Sequence, residues 1–221
     1  MPVNKQAYIE ISKELSEKGV VLVAVSKTKP IEDILELYDL GHRDFGENYV
    51  QELVDKAEKL PKDIRWHFIG HLQSNKVKYI AGFVHLIHGV DSFKLLKEVN
   101  KQSEKQDRII ECLLQIHIAQ EETKFGLDEN EATELLKSSE LEELKNIEVS
   151  GLMGMASFTE NIDVIKKEFE FLKTLFNKFS QLNPGIKILS MGMSSDYKIA
   201  NEEGSNMVRI GSLLFGERIK K

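Results

Sequence analysis

Lys27 closes the stretch Gly19–Pro30, GVVLVAVSKTKP, and its chemistry depends on where that stretch puts it. The run is short, rich in Val and bounded by Gly and Pro, which is the pattern of a strand buried on both faces. Such strands belong to parallel sheets covered by helices. Side chains alternate along a strand, so Lys27 falls in phase with Val21, Val23 and Val25 and extends an inward row at the carboxyl end. An ammonium there is costly unless it is paired, neutralised or used covalently. Desolvation favours the free amine of a lysine, and Schiff-base chemistry needs that amine. The plainer alternative is a lysine that snorkels from the strand end to solvent.

Two stretches near the C-terminus bear on that choice. MGMSSD, Met191 to Asp196, is a Gly- and Ser-rich turn entering a helix, and RIGS, Arg209 to Ser212, is a small-residue turn after the last apolar run. Glycine lets backbone N–H groups approach an anion, and a helix N-terminus adds partial positive charge. Each turn alone is an ordinary cap; two in adjacent units favour a phosphate. Arg209 stands beside the second turn. An inward guanidinium is always charged and needs an acceptor, either a phosphate, a heterocyclic nitrogen or a nearby acid such as Glu47. A lysine, a phosphate loop and an arginine are together the set that holds pyridoxal 5′-phosphate (PLP). The lysine makes the aldimine, the loops take the phosphate and the arginine faces the ring nitrogen. An arginine partner disfavours a protonated ring nitrogen, so the ring is a weaker electron sink than with an aspartate.

Other groups are less suited to chemistry. Six histidines are present, but their spacing is poor for a metal. His85 and His88 differ by three and face opposite sides of a strand, and Gly70 argues against a regular helix joining His67 to His71. No Walker-type loop occurs, and Gly151 to Gly154 (GLMG) is not a dinucleotide fingerprint. Met153, Met155, Met191 and Met193 are expected to pack a barrel mouth. The acidic stretch Glu121 to Glu143 reads as a solvated helix and its flank.

These groups need a frame, and the chain supplies a regular one. A leading amphipathic helix is expected over Asn4 to Lys18, with Tyr8, Ile9, Ile11 and Leu15 as its apolar residues. From there strands and helices alternate about eight times without a linker or a composition break. Strands are expected at Val20, Asp44–Glu47, Trp66–Ile69, Phe83–Val90, Arg108–Ile118, Ile147–Met153, Ile186–Met191 and Met207–Ile210. Helices are expected between them, and a short helix or tail over Gly211 to Lys220. Strict alternation implies parallel strands with right-handed crossovers. Eight units fit a closed (β/α)8 TIM barrel better than an open doubly wound sheet, and in either fold ligands sit at the carboxyl ends of the strands. The 221 residues form one domain, 1–221, of ordinary globular balance, with 41% hydrophobic and 30% charged residues. A net charge of −6 argues against nucleic-acid or membrane surfaces. Cys112 is the only cysteine, so no internal disulfide forms, and a buried thiol is expected. Met1 to Gly19 lacks the character of a signal or transit peptide, so the cytoplasm is the expected location.

AVSKTKP (Ala24 to Pro30), FGENYVQE (Phe45 to Glu52), WHFIGHLQSNKVK (Trp66 to Lys78), GLMGM (Gly151 to Met155), LSMGMSSD (Leu189 to Asp196) and MVRIGSLLFGER (Met207 to Arg218) resemble, in this order, the pyridoxal-phosphate homeostasis proteins. These are single-domain relatives of the alanine racemase N-terminal barrel. The resemblance implies that Lys27 is the aldimine lysine and Lys29 its neighbour, and that Asn48 lies beside the ring. It further implies that Ser194, Gly211 and Ser212 hold the phosphate and that Arg209 faces the ring nitrogen. Met193 and Tyr197 are implied as pocket lining. The family often has Thr where this chain has Ser212, and a hydroxyl is kept. It implies a PLP-binding protein of vitamin B6 homeostasis, without turnover, that exchanges cofactor with transient PLP-enzyme recipients. A monomer suits a single barrel. The alternatives are an amino-acid racemase of low or specialised activity, and a Schiff-base aldolase or sugar-phosphate barrel enzyme without cofactor. Racemisation needs acid/base groups on both faces of a carbanion, and Lys27 supplies one.

Overall fold

In phase with the alternation of the sequence, eight parallel strands close into a barrel in chain order. The computed structural model describes residues 3–121 and 124–217. The strands are β1 (Val21–Val25), β2 (Asp44–Glu47), β3 (Arg65–Phe68), β4 (Leu86–Val90), β5 (Ile110–Gln115), β6 (Ile147–Met153), β7 (Ile188–Met193) and β8 (Met207–Ile210). Closure is made by β1 against β8, with Val21 opposite Met207 and Ala24 opposite Ile210.

Helix α1 (Lys5–Glu17) precedes the barrel, and its N-cap Asn4 accepts from Ala7 N–H. The crossovers are α2 (Ile31–Asp39), α3 (Val50–Lys59), α4 (Val77–Ile80), α5 (Phe93–Glu104), α6 (Glu129–Lys137), α7 (Ser139–Glu142), α8 (Ile162–Leu182) and α9 (Tyr197–Glu202), and α10 (Ser212–Phe215) follows β8. An Asp128–Glu131 capping box starts α6. Among the described residues no helix is long and apolar enough to cross a membrane.

Strand alternation divides the apolar residues between two compartments. Val23, Leu86, Leu113, Met153 and Met207 fill the barrel interior, and Leu22, Ala24, Phe45, Phe68 and their neighbours pack outward on the helices. Each fully buried side chain of the Leu or Phe class contributes roughly 1.5–3 kcal/mol. Cys112 is a buried free thiol, pushed up by burial.

Several boundaries differ from expectation: β3 is displaced by one residue, β5 is shorter at both ends, and β4 and β7 start later. Strand β4 starts at Leu86 because the N–H groups of Phe83 and Val84 close turns on Ile80 O. Strand β7 starts later and ends later, because Ile186 N–H closes a turn on Asn183 O and the ladder runs through Gly192, at φ 97°, to Met193. The MGMSSD stretch is therefore half strand. Helix α7 is additional, capped by the Ser138 hydroxyl. Of the expected C-terminal element, Arg218–Lys220 lies outside the described residues. The methionines divide: Met153 is inside the barrel, whereas Met191 packs among the helices.

His42 ties α1 to β2. Its Nε2 donates to Asp44 O at 2.8 Å, and its ring meets Tyr8 and Phe45 edge-on. Burial lowers its pKa to about 4. The folded chain thus refuses a proton that the unfolded chain takes up near pH 6.5, so stability is full above that pH and falls as pH drops towards 4. Between pH 7.5 and 5.5 the loss through this one residue is about 1 kcal/mol. Urea unfolding at the two pH values should show a loss smaller by that amount in His42→Leu than in the native chain.

Candidate cofactor pocket at the carboxyl end of the barrel

The six residues singled out from sequence, Lys27, Asn48, Ser194, Arg209, Gly211 and Ser212, all line one cavity of about 490 Å³ at the strand ends. That volume suits a small ligand. Val25, Ile69 and Met155 add apolar walls, and Phe158, 97% exposed, stands at the rim.

Lys27 is not in the strand. It sits two positions past Val25, half-buried, in a turn whose next residue, Thr28, has φ 63°. A β-branched residue in the left-handed region is strained, and the surroundings hold it there. Thr28 N–H donates to Glu52 Oε1 at 2.6 Å. Lys56 Nζ donates to Ser26 O at 2.8 Å, to Glu47 Oε1 at 2.7 Å and to Glu52 Oε1 at 2.6 Å. The Ser26 hydroxyl donates to Glu47 Oε1 at 2.6 Å. On the far side, Lys29 Nζ donates to Phe215 O and Gly216 O. The lysine turn therefore hangs between α3 and the segment after β8. Helix α3 has the length and phase to do this because Glu52 and Lys56 are one turn apart. Glu47 faces the helices, so it is not the partner of Arg209. Burial raises the Glu47 carboxyl, and Lys56 opposes that rise.

Arg209 is 4% exposed. Its Nη1 donates to Ser190 O at 2.9 Å and Ser190 Oγ at 2.6 Å, and its Nη2 donates to Gly154 O at 3.0 Å. Burial pushes its pKa down to about 10, against the charge of Asp196, so it is a cation at neutral pH. Asn48 lines the cavity, and its Oδ1 is buried with no hydrogen-bond partner. Gly70 beside it is required, since a Cβ there would lie 2.4 Å from Asn48 O. The loops after β7 and β8 are joined by Gly211 N–H donating to Ser194 Oγ at 3.2 Å. Asp196 shapes the first loop by accepting from Met193 N–H at 2.5 Å.

Met193 lines the cavity as expected. Tyr197 does not; it is buried towards α1, with its hydroxyl 3.5 Å from Glu14. Met155 also lines the cavity, in keeping with its expected place at the barrel mouth, whereas Val25 and Ile69 were not singled out as lining residues. Ser195 also lines the cavity. Phe158 lies in a loop without a pattern and gave no signal. The histidines do not group as expected: His71 stacks on Phe125, while His67 approaches both His85 and His88.

The profile of the alanine racemase N-terminal domain matches residues 6–219. A protein of Aquifex aeolicus named pyridoxal phosphate homeostasis protein is 42% identical over 204 residues, covering 91% of this chain and 89% of its own. This chain belongs to the pyridoxal phosphate homeostasis protein family. PipY of Synechococcus elongatus PCC7942, solved without PLP, superposes with a TM-score of 0.89 at 32% identity, over 96% of this chain and 99% of PipY. PipY with PLP bound gives a TM-score of 0.82 at 34% identity, over 90% and 93% of the two chains. Relatives in the homeostasis family are thus named for a cofactor and not for a reaction, and the closed barrel with a leading helix is the alanine racemase type of fold.

The turn that carries Lys27 depends on a buried ion pair. Removing one partner leaves the other charge buried, at a cost of about 3–5 kcal/mol. Lys56→Met should lower the unfolding free energy by that order in urea, and adding Glu47→Gln should recover part of the loss. Additive losses in the double variant would show that the two groups act separately.

Proposed function

We propose that this chain, acting as one barrel domain over residues 1–221, holds PLP reversibly in the carboxyl-end cavity and serves PLP homeostasis in the cytoplasm without catalytic turnover. The observation that carries this reading is the convergence of a lysine, a buried arginine, an asparagine and two hydroxyl loops on one small cavity. Those groups fit the cofactor. When bound, PLP supplies an aldehyde with which a lysine amine condenses, losing water. Lys27 is the residue for that bond: it lines the cavity just past the carboxyl end of β1, where the family resemblance puts the aldimine lysine. Ser194, Gly211 and Ser212 take the phosphate, Asn48 lies beside the ring, and Arg209 faces the ring nitrogen. A permanent cation at that nitrogen disfavours its protonation and keeps the ring a weak electron sink. That suits holding more than turning over.

Racemisation would need a second acid/base group opposite Lys27. Among the described lining residues the other titratable groups are Lys29, Arg209 and Glu217. Arg209 is too basic for the task, Lys29 is held by two carbonyls, and Glu217 is solvent-exposed in the segment after α10, so the homeostasis reading is preferred.

Titration of the cofactor-free protein with PLP should give a shifted visible absorption band that saturates at one equivalent. Lys27→Ala should lose the band and Lys29→Ala should keep it. A band retained in Lys27→Ala would contradict the assignment. Loss of optical rotation from one amino acid, abolished by Lys27→Ala, would favour a racemase.

A further inference from the structure

From Arg209 of the cofactor site, a line of polar groups runs into the barrel interior. Arg209 Nη1 donates to Ser190 Oγ at 2.6 Å, Ser190 Oγ lies 3.1 Å from His88 Nδ1, His88 Nε2 lies 3.0 Å from His67 Nδ1, and His67 Nε2 lies 3.0 Å from Asp44 Oδ1. Asp44 is closed by Arg65, whose Nε donates at 2.7 Å and whose Nη2 donates to the second oxygen. Ser190, His67 and His88 are almost fully buried. Five strands contribute, β8, β7, β4, β3 and β2, from the pocket end of the barrel to its amino end.

One assignment of proton positions satisfies every contact in the line. An arginine only donates, so Ser190 Oγ accepts from Arg209 and its own hydrogen is available for His88 Nδ1. His88 is fully buried, and burial holds its pKa well below the usual histidine range, with the Arg209 charge acting the same way. A neutral His88 that accepts at Nδ1 carries its hydrogen on Nε2 and donates to His67 Nδ1. His67 then donates from Nε2 to Asp44. Burial alone would raise the Asp44 carboxyl, but the bonds from His67 and Arg65 outweigh it and hold it well below the carboxylate range. Every contact is then satisfied, and every bond in the line points from Arg209 towards Asp44. The remaining titratable neighbour is His85, edge-on to His67 at 5.4 Å between ring centres.

We infer that Ser190, His88 and His67 are positioning residues for Arg209, forming a one-directional hydrogen-bond chain to Asp44 that fixes the guanidinium against the cofactor ring. The functional part rests on the PLP reading above; the tautomers do not. Among the described residues no carboxylate pairs directly with Arg209. Its plane is set by the Ser190 hydroxyl and two carbonyls, and the chain sets which way that hydroxyl points. Bonds in such a series also polarise one another.

The test has two arms. In cofactor-free protein with 15N-labelled histidine, long-range 1H–15N spectra at pH 7.5 should show His67 and His88 both as Nε2–H tautomers. An Nδ1–H tautomer at either would overturn the chain. In the second arm, Ser190→Ala and His88→Leu should each weaken PLP binding roughly tenfold, the loss expected for a hydrogen bond to a charged group, and should shift the absorption band of bound cofactor. Ser190→Ala should also change the 15N shift of His88 Nδ1 without PLP. Native affinity and an unshifted band in both variants would overturn the positioning role while leaving PLP binding intact. If the native chain fails to bind PLP, the function fails and the tautomer spectra still decide the chain.

Discussion

Pairing of β1 with β8 is the constraint on which the site depends. It brings Lys27 and Arg209, from opposite ends of the chain, to neighbouring strand ends. An open sheet with the same elements would leave β1 and β8 apart and would have no shared cavity. The pairing is itself a product of alternation: strands buried on both faces need helices outside and side chains inside, and eight twisted parallel strands satisfy both by closing. The leading helix covers the outside of this seam, and Asn4 N–H donates to Leu214 O, joining the start of the chain to the segment that follows the pocket.

The structure treats its buried cations in two ways. Lys56 is given carboxylates, two of them, and its energy goes into fixing a strained turn. Arg209 is given carbonyls and a hydroxyl. Desolvating an ion costs several kcal/mol even after relaxation, and the neutral acceptors of Arg209 offset less of that cost than a carboxylate would. A carboxylate beside Arg209 would compete for the guanidinium with any ligand. The arrangement therefore gives up stability at one point to keep a cation addressable from the cavity.

Much of this was legible in the sequence because strands bear strong punctuation. Gly19 and Pro30 bracket β1, and the bounds of β2, β6 and β8 are those expected. The six pocket residues were found because they lie at strand ends and within long motifs. What escaped was three-dimensional. Nothing local says that Lys56 reaches back to Ser26, or that Glu47 points away from Arg209, since a short strand like DFGE does not declare which face is inner. The chain through His67, His88 and Ser190 left only a faint mark: polar residues in the inward phase of apolar strands, with His88 two residues from Leu86 and His67 two from Ile69. Spacing along the chain was the wrong measure for these histidines, because their contacts run across strands.

The central claim is that Lys27 is the residue that takes the cofactor. Borohydride reduction of the PLP-loaded protein, followed by peptide mapping, tests it directly. One pyridoxyl adduct per chain, on the peptide containing Lys27 and assigned to that residue by fragmentation, is the predicted result. An adduct on Lys29 or elsewhere, with Lys27 unmodified, would contradict the account.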